Sequence, residues 1–151
     1  MNFKKLSIIF VIAILIFTNS VSIVSAIEIY SPTKQGNEYI NDLNMIDNNM
    51  YMVIKLISKD NLDKDDAIKQ INYADSLIKG LHSKISKLSS KEDDVVLSIR
   101  AVLSFYKLSL LKAEDYIQTR NTEDLIDSIS TFSIGYNAST SLRKIINEAG
   151  K

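Results

Sequence analysis

The sequence contains no cysteine and no tryptophan, and it has one proline and four glycines among its 151 residues. Without cysteine the chain can form no disulfide, thiolate nucleophile, cysteine-ligated metal site or covalent haem attachment. The scarcity of proline and glycine disfavours a many-stranded β fold, because such a fold needs frequent tight turns. The fold must therefore be held together by packing alone.

An excess of one charge is also missing, since 18 basic residues balance 18 acidic residues. Nucleic-acid binding normally requires a concentrated basic surface, which this composition does not supply. The sequence has no long run of like charges and no low-complexity segment. We therefore expect no nucleic-acid partner and an ordinary globular domain.

The longest apolar run lies near the N-terminus, where Lys4 and Lys5 precede Leu6–Phe17 and a softer segment ends at Ala26. This arrangement predicts a secretory signal peptide over residues 1–26, cleaved between Ala26 and Ile27. We therefore expect the mature protein in the extracellular space or the cell envelope. The alternative is an uncleaved membrane anchor, because a generous count from Leu6 to Ile29 reaches the roughly 20 residues that a spanning helix needs.

The rest of the chain divides into an extended lead-in, residues 27–36, and a helical domain, residues 37–151. The helical pattern is interrupted three times, which predicts helices over about 37–59, 64–88, 91–119 and 122–149. Short connections make neighbouring helices antiparallel, so the sequence predicts an all-α, up-down-up-down four-helix bundle. The alternative is a three-helix arrangement in which the first helix is frayed.

Each predicted helix carries a stripe of inward positions spaced by threes and fours, and these stripes form the candidate core. The stripe residues are Tyr39, Leu43, Ile46, Met50, Val53, Ile57; Ala67, Ile71, Ala74, Ile78, Leu81, Ile85, Leu88; Val96, Ile99, Leu103, Tyr106, Leu110, Ala113, Ile117; and Leu125, Ile129, Phe132, Tyr136, Ser139, Leu142, Ile146. Asp63, Asn121 and Ser89 with Glu92 have the spacing of helix N-caps. We expect the inward positions to be aliphatic and aromatic throughout.

Catalytic and metal-binding patterns are weak. The acidic segment 61–66 has neither the glycine nor the glutamate of a calcium loop, so it is interpreted as a helix N-terminus. Haem ligation would need His82, the only histidine, with Met45, Met50 or Met52, but His82 lies at the edge of its helix stripe. The glycan acceptor triplet at 137–139 falls within a helix. We therefore predict no enzyme activity, no metal and no cofactor.

The third helix has a second apolar side, opposite its core stripe. This candidate interaction face consists of Leu97, Ala101, Phe105, Leu108 and Leu111. A surface helix normally keeps that side polar. Either the helix is unusually buried within the bundle, or this face is an exposed patch for a partner. Apolar residues also point in every direction over residues 50–54 of the first helix.

These observations predict a small exported helical bundle that acts by contact rather than by catalysis. The expected partner is another protein or a second copy of the chain, bound through the second faces of the first and third helices. The alternative is a ligand or metal carrier that uses the bundle interior. A membrane contact is expected only through the N-terminal segment, if that segment is not cleaved.

Overall fold

The structure is a computed structural model that describes residues 34–87 and 94–148, with side chains from Glu38 onward. The predicted signal peptide, its cleavage site between Ala26 and Ile27, and nearly all of the lead-in lie outside the described residues. The predicted cap at Ser89 and Glu92 and the stripe position Leu88 also lie outside them.

Four helices account for almost all of the described chain: α1 is Lys34–Ile57, α2 is Lys64–Ser86, α3 is Asp94–Thr119 and α4 is Thr122–Glu148. The two described segments contain no β-strand, so the all-helical prediction is confirmed. The α1 helix begins at Lys34, three residues before its predicted start at Asn37. None of these four helices is both long enough and apolar enough to cross a membrane.

The helix boundaries follow local hydrogen bonding. The Asp63 carboxylate accepts a hydrogen bond from the backbone N–H of Asp66 at 3.1 Å, which satisfies a free donor at the start of α2. Asn121 caps α4 in the same way, because its Oδ1 accepts a hydrogen bond of 3.1 Å from the backbone N–H of Glu123. Arg120 adopts a left-handed conformation, with φ of 58°, and ends α3. The chain therefore reverses within two residues and sets α4 beside α3.

The helices enclose one continuous apolar core. Each helix packs against its neighbours in the chain, and α4 also packs against α1. Between α1 and α2, Gln70 donates to Asn49 Oδ1 at 2.9 Å, and Lys84 donates to Asp42 at 2.7 Å. The residue nearer the C-terminus of α1, Asn49, pairs with the residue nearer the N-terminus of α2, Gln70. The two helices therefore run antiparallel.

The predicted stripes of α1, α2 and α3 are all buried wherever the structure describes them, so this part of the predicted core is confirmed. In α4 the predicted stripe is confirmed at four buried positions: Phe132, Ser139, Leu142 and Ile146. Leu125 and Ile129 are only half-buried, and the prediction is wrong at Tyr136, which is 43% exposed. Ser128 and Gly135 are buried on this helix although the stripe did not include them. Small residues face α3 here because the two helices approach closely, and a large side chain in that position would hold them apart.

Candidate functional site

A carboxylate lies inside the bundle, where the sequence predicted only aliphatic and aromatic side chains. That prediction is wrong at Asp47, which follows the stripe residue Ile46 on α1 and is only 3% exposed. Asp47 is buried because α4 covers the side of α1 from which it projects. A signal for it was present in the sequence, since Tyr106 and Ser139 occupy inward stripe positions and a buried hydroxyl needs a polar partner.

Three side chains from two other helices surround this carboxylate. Tyr106 of α3 donates its hydroxyl to Asp47 Oδ1 at 2.5 Å. Ser139 of α4 donates to Asp47 Oδ2 at 3.1 Å, and Arg143 of α4 forms an ion pair with the same oxygen. We call these four residues the Asp47 cluster. Arg143 also donates to Asn44 Oδ1 at 2.5 Å, which extends the network to the surface.

Burial controls the acid–base behaviour of the cluster. It raises the pKa of Asp47 above its ordinary value of 3.8, although the hydrogen bond from Tyr106 and the positive charge of Arg143 oppose the rise. Burial also raises the pKa of Tyr106 well above its ordinary value of 10.0, and the neighbouring Asp47 carboxylate adds to that rise. The fold therefore favours the protonated form of the Tyr106 hydroxyl.

The polar groups of the Asp47 cluster are paired with one another inside the protein. Both oxygens of Asp47 have donors from the protein, and the carboxylate lies almost out of contact with solvent. This geometry joins α1, α3 and α4 at one level of the bundle. A one-turn slip of any of these helices would leave a buried charge without its partner, so the cluster specifies their register.

Helices α3 and α4 are held especially close beside the cluster. The Ser109 hydroxyl donates to the Ser128 carbonyl at 2.9 Å, and the Ser128 hydroxyl donates to the Ser109 carbonyl at the same distance. At Gly135, a Cβ atom would lie 2.7 Å from Cε1 of Tyr106. Because Gly135 has no side chain, the Tyr106 ring can pack against its backbone while the Tyr106 hydroxyl reaches Asp47.

The predicted interaction face of α3 lies at the surface. Leu97, Leu108 and Leu111 are 48%, 47% and 51% exposed, Ala101 is exposed and Phe105 is half-buried. The core stripe on the opposite side of the same helix is buried throughout. The described structure therefore contradicts the interpretation that these residues are buried within the bundle. We call these five residues the outer face of α3.

The other residues considered from sequence lie apart from the Asp47 cluster. His82 is exposed on α2, whereas Met50 is fully buried on α1 and Met45 and Met52 are exposed. Within residues 34–87 and 94–148, no three side chains of the metal-binding types come together as a metal site would require. The residues 61–66 include the N-cap of α2, and Ser139 of the glycan triplet is buried.

A small surface pocket lies between α1 and α2. It has a volume of about 200 Å³ and is lined by Met45, Leu77, Gly80 and Lys84, among others. Sites for small molecules usually have volumes of roughly 300–1,000 Å³. The positive charge at its edge is already paired, because Lys84 bonds both Glu38 and Asp42. This pocket gives the ligand-carrier alternative little support.

Comparisons with protein family models, with curated proteins and with solved structures found no match to this chain. Its function therefore has to be inferred from its own residues and their geometry.

The buried phenol of Tyr106 predicts a pH dependence of stability. The unfolded chain ionises this phenol near pH 10, whereas burial raises its pKa in the folded state. Its contribution is therefore present below pH 10 and is lost above it, by up to about 1.4 kcal/mol per pH unit. In denaturant unfolding at pH 8 to 11.5, the wild type should lose stability more steeply than Tyr106→Phe.

The quantity to compare is the slope of the free energy of unfolding against pH. The absolute values differ in any case, because loss of the hydroxyl also changes the stability of Tyr106→Phe at neutral pH. Tyr51→Phe is the matched control, since Tyr51 is 57% exposed on α1, and its profile should be parallel to that of the wild type. Parallel profiles for Tyr106→Phe and the wild type would contradict the burial of this phenol.

Proposed function

We propose that this protein is an exported, up-down-up-down four-helix bundle that binds a protein partner through the outer face of α3. The features of residues 1–26 support an extracytoplasmic site of action, because they are those of a secretory signal. The proposal is for a non-catalytic interaction module. The observation that carries it is a row of half-exposed leucines on the side of α3 that faces away from the core.

The geometry of this row favours recognition. Leu97 and Leu111 are 14 residues apart, which corresponds to about 21 Å along a helix. Leu108 lies between them on the same side, which stays exposed among the four described helices. Scattered single apolar residues are normal at a surface, but an aligned group is typical of a contact site.

Two of the lysines beside the row are paired with carboxylates within the bundle. On one flank, Lys107 pairs with Asp75 of α2 at 3.3 Å. On the other flank, Lys112 bonds Asp124 of α4 at 3.0 Å. A partner that covers the leucines therefore need not strip water from two unpaired cations, which lowers the cost of binding.

The apolar surface continues from α3 onto α4. Phe105 lies at the seam between the two helices, since its Cβ is 3.2 Å from the position of a Cβ at Gly135. The residue before Gly135 on α4, Ile134, is 38% exposed, and Ile145 is 39% exposed on the same side of that helix. A helix of a partner could therefore lie against the leucines and extend over this seam.

The decisive experiment is Leu108→Asp. Because Leu108 is exposed, the substitution should change the free energy of unfolding by no more than about 0.5 kcal/mol, yet it should abolish association. Cross-linking in the native culture, with mass spectrometry of what is captured, reports the association, and circular dichroism reports the fold.

Two control variants sharpen this test. Leu110→Asp places the same charge two residues away at a position that is 3% exposed, and it should unfold the protein. Ile68→Asp alters an apolar residue that is 45% exposed on α2, and it should leave both fold and association intact. Association that survives Leu108→Asp would refute the proposed function.

A further inference from the structure

We infer that the Asp47 cluster is an acid switch, in which a proton taken up by Asp47 releases Arg143 from the core to the surface between α1 and α4. This inference goes beyond the proposed function, because it concerns the Asp47 cluster alone and does not depend on what binds the outer face of α3. It gives the cluster a second state and names the signal that selects it.

Asp47 is the member of the cluster whose charge responds to acid. It is buried, it accepts hydrogen bonds from Tyr106 and Ser139, and it forms an ion pair with Arg143. An arginine keeps its positive charge throughout the acid range, and the hydroxyls of tyrosine and serine are neutral there. Protonation of Asp47 therefore turns an ion pair in the core into a neutral acid beside an unpaired cation.

The titratable and charged groups that face Asp47 come from two helices. Tyr106 projects from α3, and Arg143 projects from α4. The neighbouring carboxylate of α1, Asp42, instead faces α2, where it bonds Lys84. Within residues 34–87 and 94–148, no second carboxylate pairs with Arg143. The charge on Asp47 therefore decides whether this arginine has a counter-ion.

The cluster has a satisfied hydrogen-bonding arrangement for each charge state of Asp47. In the ionised state, the Ser139 hydroxyl donates to Oδ2 at 3.1 Å. When Oδ2 carries a proton, its O–H can donate to Ser139 Oγ, because a hydroxyl both donates and accepts. The Ser139 proton can then turn to a backbone carbonyl in the preceding turn of α4, a common bond for a serine within a helix. Oδ1 still accepts from Tyr106, so the neutral acid gives up only Arg143.

Arg143 is the member of the cluster that can leave. Its side chain is 15% exposed, whereas that of Asp47 is 3% exposed. Its other partners lie at the surface, since it donates to Asn44 Oδ1 at 2.5 Å and to Thr140 Oγ1 at 3.1 Å, and both of these residues are exposed. A guanidinium without its counter-ion is costly to keep in the core, so it should turn outward to water.

Burial sets the pH range in which the switch operates. It raises the pKa of Asp47 above 3.8, against the hydrogen bond from Tyr106 and the positive charge of Arg143. The folded state therefore takes up this proton at a higher pH than the unfolded chain does. By linkage, the contribution of Asp47 to stability rises as the pH falls through its folded pKa towards 3.8.

The switch changes the seam between α1 and α4. Asp47 and Arg143 supply the polar contacts between these helices at this level of the bundle, through Ser139 and Asn44. Once Arg143 turns outward, the ion pair is lost and the seam presents an unpaired cation to water. The acid form therefore differs from the neutral form in surface charge, while the apolar core stays in place.

The direct test is an NMR titration of the full chain as it is exported, from about pH 7.5 to about pH 3.5. The carboxyl carbon of Asp47 reports proton uptake, and the Nε–H of Arg143 reports protection of its guanidinium from exchange with water. We expect both signals to change with one midpoint, which lies above pH 3.8. Arg120 is exposed, so its Nε–H corrects for the intrinsic pH dependence of exchange.

Asp75 is the matched control carboxylate, because it is also paired with cations but its side chain is 25% exposed. Partial burial acts to raise its pKa, but the hydrogen bonds from Lys79 and Lys107 lower the pKa of Asp75 overall. Asp75 should therefore titrate at a lower pH than Asp47, and its protonation should leave the Arg143 signal unchanged.

Asp47→Asn imitates the protonated state, since its amide nitrogen can donate to Ser139 while its oxygen accepts from Tyr106. Arg143 should be unprotected in this variant at every pH. The unfolding equilibrium constant of the wild type, divided by that of Asp47→Asn, should fall by up to about tenfold per pH unit as the pH approaches 3.8. If this variant does not fold, the titration of the wild type still decides.

Two results would overturn the acid switch. One is an Asp47 carboxyl that titrates below pH 3.8. The other is an Arg143 signal that stays protected after Asp47 has taken up its proton. Neither result would bear on the outer face of α3, which is tested separately by Leu108→Asp.

Discussion

Replacing Asp47 with alanine is expected to lower the free energy of unfolding by about 3 kcal/mol. The substitution removes the acceptor of the Tyr106 and Ser139 hydroxyls and the counter-ion of Arg143. Breaking a buried ion pair by deleting one member typically costs about 3–5 kcal/mol, because the remaining charge stays buried without a partner. We expect the lower end of that range, since the Arg143 side chain is 15% exposed and can turn towards solvent.

The total stability of a domain of this size is typically about 5–15 kcal/mol, so this loss should be plain in urea-induced unfolding followed by circular dichroism. The matched control is Asp42→Ala on the same helix. Asp42 bonds Lys84 at 2.7 Å, but the Lys84 side chain is 46% exposed. Exposed ion pairs are worth about 0–1 kcal/mol, so this variant should change stability little.

An Asp47→Ala variant as stable as Asp42→Ala would show that the Asp47 cluster does not hold the bundle together. A double variant, Asp47→Leu with Arg143→Met, adds a second check. Replacing both charges with apolar groups should recover part of the lost stability, because no unpaired charge then remains in the core, while the Tyr106 and Ser139 hydroxyls still lack their acceptor. Recovery would identify the unpaired arginine as the source of the loss.

Gly135→Ala is the second large effect that we expect. The new Cβ would lie 2.7 Å and 2.8 Å from two carbon atoms of the Tyr106 ring. That ring cannot move away easily, because it is fully buried, stacks on Phe132 and donates its hydroxyl to Asp47. Overpacking of this kind usually costs about 1–3 kcal/mol, and we expect the upper part of that range. Thermal unfolding would measure the loss.

Gly80→Ala provides the matched control, because the same substitution should have the opposite sign there. Gly80 is exposed within α2, and apart from the adjoining residues of its own helix no atom lies within 4 Å of the position of its Cβ. Alanine favours a helix over glycine by about 1 kcal/mol, so Gly80→Ala should stabilise the protein by up to that amount. Two glycine variants of equal stability would contradict the close approach of α3 and α4.

The sequence was sufficient to determine the helices and most of the core. Apolar residues spaced by threes and fours defined the buried sides of α1, α2 and α3, since the period of an α-helix puts such residues on one side. Asp63 and Asn121 marked helix starts, because their side chains accept hydrogen bonds from free N–H groups of the first turn. These properties are local, and each depends on only a few consecutive residues.

The sequence also located the outer face of α3 as a second apolar side, but it could not determine whether that side is covered. Coverage depends on where the other helices lie. The tertiary structure puts α2 and α4 against the flanks of α3, and Leu108 remains 47% exposed between them. Burial is therefore a property of the packed helices and not of the spacing within one helix.

The Asp47 cluster and the exposure of Tyr136 on α4 were decided only by tertiary structure. Asp47 and Arg143 are 96 positions apart in the chain, and nothing local in either segment indicates that they meet. Ser128 and Gly135 displace Tyr136 from the core because α4 must come close to α3, a requirement that arises from a different helix. Helical periodicity can be recognised from neighbouring residues, whereas the pairing of buried polar groups depends on the register of helices that are distant in the sequence.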